Sequence, residues 1–250
     1  MYVGTEEANT RANKEIQDRV TNSKIQKKVL RKEVMEMQTY NIEKMFPRTV
    51  KLTEKVIAVM KMFGLDRQRL RNGGLIHKCN LKIKPGDICY ITGPSGSGKS
   101  VLLNELYEMV KPDKRLNLKD IPLEKGKTLI DCIEGDFFSG LRLLSKAGLG
   151  DVFSVLNEPV FLSEGQKYRY RLARAIASGR KVIFADEFCS GLDRITAAVI
   201  AHNIRKIATP SGLTFVLASS HDDMLCDLLA DVVVIKHLSG KTEVIYKDRR

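Results

Sequence analysis

The chain has 250 residues, of which 43% are hydrophobic and 29% are charged. These values are those of a globular protein with one α/β domain and an extension, or with two small domains. No apolar run approaches the roughly 18 residues that cross a bilayer, and the N-terminus lacks the apolar core of a secretory signal. We therefore expect a cytoplasmic protein. The formal net charge of +12 favours an anionic partner, although a solvated lysine-rich surface explains it equally well.

Residues 1–52 differ from the rest of the chain, since Gly4 is their single glycine. Apolar residues recur there at irregular helical spacing, which predicts one long helix, or two, from about Thr10 to Met45. Residues 24–32 are strongly basic and suggest a helix that binds nucleic acid or an acidic protein. The alternatives are a helix packed on the main domain and a partly disordered tail. We expect a basic helical extension over 1–52 and a second domain over 53–250.

The second domain begins with Thr53 as the expected N-cap of an amphipathic helix that reaches Phe63. Strands and helices then alternate. Strands are predicted near 75–83, 87–92, 181–186, 214–219, 231–237 and 242–247. The apolar run 182–185 suits a central strand of a mostly parallel sheet that is covered on both faces.

The five cysteines form no C-x-x-C pair, and the four histidines show no zinc-ligand spacing. Several of the cysteines lie in apolar strands. This pattern is typical of reduced, buried cysteines rather than of disulfides or a metal site.

Residues 93–100 fit G-x-x-x-x-G-K-[ST], the phosphate-binding loop. Glycines let successive N–H groups curl into an anion-binding nest, and the helix that follows directs its positive end to the same point. Lys99 can reach the β- and γ-phosphates, and Ser100 can ligate Mg²⁺. The predicted phosphate-binding residues are Gly93, Pro94, Ser95, Gly96, Ser97, Gly98, Lys99 and Ser100. A glycine-rich turn without a ligand is the alternative.

Four further segments indicate which class of nucleotide-binding protein the chain resembles. Residues 162–174 (LSEGQKYRYRLAR) resemble the signature motif of ABC-type ATPases and the helix after it. Residues 181–187 (KVIFADE) resemble the Walker B strand of that family, and 190–193 (SGLD) its D-loop. Residues 217–221 (LASSH) resemble the strand that ends in its switch histidine. The segments occur in the family's order, so the resemblance implies a P-loop NTPase fold of the ABC type.

The resemblance also implies catalytic roles. Asp186 would hold Mg²⁺ beside Ser100, and Glu187 would polarise the attacking water. His221 would contact the γ-phosphate, and Lys99 completes the catalytic set. Taken alone, an Asp-Glu pair after a strand is usually a helix N-terminus, and a histidine at a strand end is usually structural. Their order behind a phosphate loop favours the catalytic roles.

The signature segment implies a homodimer. Ser163, Gly165 and Gln166 open a helix and would offer donors to the ATP of the opposite subunit. Two ATP molecules would then be enclosed between head-to-tail copies, with Asp193 communicating across the interface. The expected function is ATP binding and Mg²⁺-dependent ATP hydrolysis, with ATP-driven dimerisation.

The chain departs from the family between the phosphate loop and the signature. No glutamine stands between Ser100 and Leu162 to serve as the Q-loop residue. Asp131, Glu134 and Asp136 are the candidates to replace it. The segment is also short, which indicates a reduced helical subdomain. Because that subdomain docks on membrane subunits in the family, its reduction argues against a role in transport.

The residue that stacks on adenine is also unassigned. Phe63 is the nearest aromatic candidate, and Leu65 or Leu70 could form an apolar seat instead.

The pattern is most similar to a small group of soluble ABC-type ATPases from archaea and their mobile elements, some of which are fused to an acetyltransferase domain. This resemblance rests on residues 63–65, 85–93, 165–170 and 186–189. We expect a soluble switch that acts on a macromolecule, with nucleic acid as a candidate. The alternatives are the ATP-binding subunit of an ABC membrane transporter and a scaffold that hydrolyses little ATP, against which Glu187 argues.

Overall fold

The computed structural model describes residues 37–46, 51–66 and 75–248. Contacts group Gln38–Arg250 into one compact unit. The basic segment 24–32 and most of the predicted N-terminal helix lie outside the described residues. Among the described helices, none combines the length and the apolar composition that crossing a membrane requires.

A six-stranded sheet forms the centre of this unit. Its strands are β3 (Ile88–Thr92), β4 (Arg115–Asn117), β5 (Val182–Ala185), β6 (Thr214–Ala218), β7 (Val232–Lys236) and β8 (Thr242–Tyr246). They are ordered β4-β5-β6-β3-β7-β8. The first five in this order are parallel, and β8 runs antiparallel to β7. The predicted α/β fold with a mostly parallel sheet is confirmed.

Helices cover both faces of the sheet. In chain order, the helices of the unit are α1 (Glu54–Met62), α2 (Lys99–Met109), α3 (Phe137–Lys146), α4 (Val152–Val155), α5 (Glu164–Ala177), α6 (Arg194–Ser211) and α7 (Leu225–Leu228), of which α2, α5 and α6 pack on the sheet. Along β3, Ile88 and Tyr90 pack in a core with α5 and α6, whereas Cys89 and Ile91 pack on the other face with α2. Because both faces are covered, all five residues of β3 are buried, and those from Ile88 to Ile91 are hydrophobic.

The N-terminal part of the described chain contains a second sheet of two strands, so the helix predicted there is partly wrong. Residues 38–45, predicted as helix, belong to β1 (Gln38–Phe46), which pairs antiparallel with β2 (Leu75–Ile83). Tyr40 and Ile42 are buried in the core on the face of the six-stranded sheet that α2 covers, while Asn41 is exposed. This alternation is that of a strand. The division of the chain at residue 52 itself stays a prediction, but β1 lies in the compact unit that begins at Gln38.

Helix α1 lies in the connection between β1 and β2. Its predicted N-cap is confirmed, because the Thr53 hydroxyl accepts a hydrogen bond from the Val56 N–H at 3.3 Å. None of its residues is buried.

The helices between β4 and α5 form a small subdomain with its own core. Leu129, Ile133, Leu144 and Leu149 pack there against Tyr170 of α5. The subdomain holds the ten-residue α3 and the four-residue α4, consistent with the reduced subdomain expected from the sequence.

The cysteines are all free thiols, and four of them are buried, Cys226 being the exposed one. Burial raises the pKa of the Cys79 thiol to about 11, so it is neutral at physiological pH. The burial of four of the five cysteines agrees with the predicted buried positions.

Candidate active site

The phosphate loop connects β3 to α2. Gly98 adopts a left-handed conformation (φ 90°) and caps the N-terminus of α2. Gly93 has a φ of 139°, and a Cβ placed on it would lie 2.2 Å from the carbonyl oxygen of Lys236. The end of β7 therefore leaves room for glycine alone at the first position of the loop.

Lys99 points back over the loop. Its Nζ donates hydrogen bonds to the carbonyl oxygens of Gly93 at 2.7 Å and Pro94 at 3.0 Å. The ammonium group is thus held on the concave side of the loop, where phosphates bind in such nests.

A cleft of about 450 Å³ opens beside the loop. It is lined by Ser95, Gly96, Gly98, Lys99, Ser100, Val101, Asp186, Glu187, Ser190, Ser219 and Ser220. The carboxyl ends of parallel strands meet at one edge of a sheet, so β3, β5 and β6 bring these segments together. The volume lies in the range of small-molecule sites.

The acidic pair at the end of β5 faces this cleft together with the phosphate loop. Asp186 is half-buried and Glu187 is exposed. The Glu187 N–H donates to Asp186 Oδ1 at 3.0 Å, which orients one carboxylate oxygen. Hydroxyl and carboxylate oxygens are ligands that Mg²⁺ prefers, so Ser100 and Asp186 fit a magnesium site in this cleft.

His221 lies beyond β6, just outside the residues that line the cleft. Its N–H donates to Ser219 Oγ at 3.3 Å, and its carbonyl oxygen accepts from the Tyr90 hydroxyl at 2.5 Å. The following Asp222 accepts a hydrogen bond from the Thr92 hydroxyl. The backbone of the histidine is therefore fixed to the strand that leads into the phosphate loop.

The signature residues do not line the cleft of their own chain. Ser163 caps α5 in a capping box with Gln166, whose backbone N–H donates to Ser163 Oγ at 3.3 Å. The Gln166 amide also donates to Ser154 Oγ at 3.2 Å, so its side chain is engaged within the subdomain. A Cβ on Gly165 would lie 3.0 Å from Leu192 Cδ2, so this glycine gives α5 and the D-loop a close approach.

Asp193 of the predicted D-loop has a structural task. Its carboxylate caps α6 by accepting from the Thr196 N–H at 2.9 Å. Hydrogen bonds from the side chain and backbone of Thr196 hold the pKa of Asp193 below its usual value.

The candidates for the missing Q-loop glutamine do not face the cleft. Asp131 accepts a hydrogen bond from Thr128 Oγ1 at 2.6 Å, and Asp136 caps α3 through the Ser139 N–H at 3.1 Å. Glu134 lines a different pocket, beside Arg174.

The candidates for the adenine seat also remain apart from the cleft. Phe63 and Leu65 are exposed and are not among its lining residues. Leu70 lies outside the described residues.

The sequence did not single out four residues that line the cleft, namely Val101, Ser190, Ser219 and Ser220. The three serines stand in segments 190–193 and 217–221, but no role was assigned to them. The sequence nevertheless allowed the position of Ser219 and Ser220 to be predicted, since both directly follow a buried strand of a parallel sheet.

Comparison with known proteins places the chain in a family. A family model described as ABC transporter matches residues 76–132. The methionine import ATP-binding protein MetN 1 of Oceanobacillus iheyensis is 30% identical over 217 residues, which cover 69% of this chain and 62% of that protein. The chain thus spans less than two thirds of that relative. The uncharacterized ABC transporter ATP-binding protein YknY of Bacillus subtilis is 30% identical over 199 residues, covering 65% of this chain and 85% of YknY.

Solved structures share the fold. The ATP-binding cassette MJ0796, solved as a dimer in a post-hydrolysis state with ADP and Pi, superposes with a TM-score of 0.57 at 21% identity. The match covers 83% of this chain and 98% of that one. A bacterial Atm1-family ABC exporter with ATP bound has a TM-score of 0.54 at 18% identity, over 70% of this chain and 35% of the exporter. With the phosphate loop and the acidic pair of β5 on one cleft, and with 30% identity across most of YknY, the chain belongs to the family of ABC-type ATP-binding proteins.

Proposed function

We propose that the protein binds Mg²⁺-ATP and hydrolyses it, and that two copies close head to tail over two ATP molecules. The carrying observation is that Lys99, Ser100, Asp186 and Glu187 line one cleft. Phosphoryl transfer to water needs a phosphate-binding cation, oxygen ligands for magnesium and a carboxylate base. These four residues supply all three.

Each residue has a task in this proposal. Lys99 moves from the loop carbonyls to the β- and γ-phosphates, and the N–H groups of the loop and of the first turn of α2 surround the same anion. Ser100 and Asp186 would hold a magnesium ion, which would neutralise phosphate charge. Glu187 accepts a proton from the attacking water, and His221 contacts the γ-phosphate from the end of β6.

The signature end of α5 supplies the second half of the site in the partner subunit. Ser163 is exposed at the N-terminus of a fourteen-residue helix and does not line its own chain's cleft. The positive end of such a helix attracts phosphate. A head-to-tail dimer would therefore place Ser163 of each copy over the ATP held by the other.

Mixing two inactive variants tests this composite site. Lys99→Ala removes the phosphate-binding cation. Ser163→Asp keeps a residue that caps helices well but adds a negative charge opposite the phosphate. Each variant alone is expected to lose most phosphate release. In a mixed dimer, one site combines the intact loop of one chain with the intact signature of the other, so phosphate release should return.

The control is each variant mixed with itself at the same total concentration. A site formed within one chain would give no recovery on mixing, and that result would refute the head-to-tail arrangement while leaving ATP binding open to a direct nucleotide titration.

The helical subdomain favours a protein partner. Phe137, Phe138, Phe153 and Phe161 all lie there and are 60% to 85% exposed, and the rings of Phe137 and Phe138 pack edge to face with centroids 5.3 Å apart. Groups of exposed apolar side chains mark interaction sites, whereas singly exposed ones do not. We infer that this surface, here called the exposed phenylalanines, binds an apolar face of another protein. Since the relatives named above are transporter ATP-binding proteins, an ABC membrane transporter subunit is the partner that these observations favour.

Partner capture with paired variants tests this assignment. Phe138→Ser and Phe153→Ser should leave phosphate release by the purified chain unchanged but reduce co-purification of a membrane protein. Leu238→Ser is the matched control, because Leu238 is 62% exposed in the turn between β7 and β8. Equal loss of the partner in all three variants would count against a docking surface on the subdomain.

A nucleic-acid partner is the other proposal, and it rests on the net charge of +12 and on the basic segment 24–32. In the capture experiment it would appear as bound nucleic acid that is released steeply as salt is raised. The finer resemblance to soluble archaeal ATPases stays a prediction.

A further inference from the structure

Glu187 leaves β5 in a turn whose backbone is strained at two positions. The φ angles of Glu187 and Cys189 are 50° and 57°. Residues with a Cβ rarely occupy this left-handed region. Such conformations persist only where surrounding contacts fix them. The turn that carries the proposed base must therefore be held by its neighbours.

Part of the support comes from β6 and from the turn itself. Phe188, between the two strained residues, is fully buried, and its N–H donates to the Ala218 carbonyl oxygen at 2.8 Å. The Ser190 N–H donates to the Glu187 carbonyl oxygen at 3.0 Å. These contacts fix the middle of the turn and its exit, but they leave the N–H of Cys189 without a backbone partner.

Tyr168 of α5 supplies the missing contact. The Cys189 N–H donates to the Tyr168 hydroxyl at 3.4 Å. The rings of Tyr168 and Phe188 pack edge to face, with centroids 6.5 Å apart. Burial raises the pKa of the Cys189 thiol to about 12, so this side chain is neutral beside the tyrosine. Tyr168 touches two of the three residues of the turn and is not among the residues that line the cleft.

We infer that Tyr168 is a positioning residue, which holds the strained turn 187–189 and so directs the Glu187 carboxylate into the cleft. Its effect on turnover rests on the proposed ATP hydrolysis, whereas its hold on the turn does not. Tyr168 lies on the same helix as Ser163. The helix proposed to contact the partner's ATP thus also supports the base of its own subunit.

A pair of tyrosine variants separates this role from a general structural one. Tyr168→Phe keeps the ring and removes the hydroxyl. Tyr170→Phe makes the same change two residues along α5, where Tyr170 packs in the subdomain core and accepts from Arg174 at 3.3 Å. We expect Tyr168→Phe to lower kcat by about threefold to tenfold, the range that one neutral hydrogen bond supplies, with an unchanged KM for ATP. Tyr170→Phe should change neither constant.

Amide hydrogen exchange gives a second measurement that needs no turnover. The peptide covering residues 186–192 should exchange faster in Tyr168→Phe than in the wild type, and at the wild-type rate in Tyr170→Phe.

A rescue experiment tests the strain directly. In the Tyr168→Phe background, Cys189→Gly removes the Cβ that makes the left-handed conformation unfavourable, while Cys189→Ala keeps it. Both substitutions delete the thiol. If Tyr168 opposes strain, the glycine variant should recover part of kcat and the alanine variant should not.

The outcomes are distinct. Wild-type kcat and exchange in Tyr168→Phe would overturn the inference, as would an equal loss in Tyr170→Phe or equal rates for the glycine and alanine variants. If the wild type and Glu187→Gln release phosphate equally fast, the assignment of Glu187 as the base fails. The exchange rates then still decide whether Tyr168 holds the turn.

Discussion

Glu187→Gln is expected to lower phosphate release by about 10²- to 10⁴-fold, the usual contribution of a general base, while ATP binding is retained. Glutamine matches glutamate in size but cannot take a proton from water. Because the Glu187 side chain is exposed and both residues pay the same backbone cost at φ 50°, the free energy of unfolding should hardly change. Phosphate release, nucleotide titration and thermal unfolding measure the three quantities.

The same variant should accumulate as an ATP-bound dimer, since closure would no longer be followed by hydrolysis. Light scattering at saturating Mg²⁺-ATP should report twice the monomer mass, and with ADP the monomer mass. A Glu187→Gln protein that releases phosphate at the wild-type rate would show that the base lies elsewhere, and one that stays monomeric with ATP would contradict the closed dimer.

Gly93→Ala is expected to lower the free energy of unfolding by about 3 kcal/mol or more, at the upper end of overpacking costs. The new Cβ would stand 2.2 Å from the Lys236 carbonyl oxygen. That oxygen belongs to the backbone of β7, so it cannot rotate away as a side chain would. Relief requires the loop to leave β7, which would also abolish nucleotide binding.

Gly135→Ala is the matched control. Gly135 has a φ of 114°, closer to that of Gly93, and its Cβ would meet nothing within 4 Å, so the variant carries backbone strain of about 1–3 kcal/mol without the clash. Urea unfolding of both variants isolates the clash. Equal losses of unfolding free energy in the two variants would mean that the loop moves away from β7 at no cost. The close packing on β7 would then not contribute to stability.

The sequence predicted the centre of the molecule well because the signals there are local. The strands around Tyr90, Phe184 and Val216 are short apolar runs, and the phosphate loop is a contiguous motif whose residue types each have a physical reason. From these runs, the edge where β3, β5 and β6 end could be placed, and with it the neighbourhood of Lys99 and Asp186.

What could not be predicted depends on distant parts of the chain. Strand β1 is stabilised by β2, whose residues Leu75–Ile83 lie far along the chain. The residues adjacent to Tyr40 in the sequence therefore do not distinguish a strand from a continued helix. The three-residue β4 is too short to show a period. The contact of Tyr168 with Cys189 joins two motifs that sequence reasoning treated separately.

The position of Lys99 has a consequence for how strongly the loop attracts anions. Its ammonium group already has two carbonyl oxygens as neighbours, at 2.7 Å and 3.0 Å, so an arriving phosphate substitutes one set of oxygen ligands for another. The gain in free energy is the difference between the two sets, which is smaller than the attraction of a bare cation. We therefore expect such a loop to bind ligands with several phosphate oxygens more tightly than a single small anion.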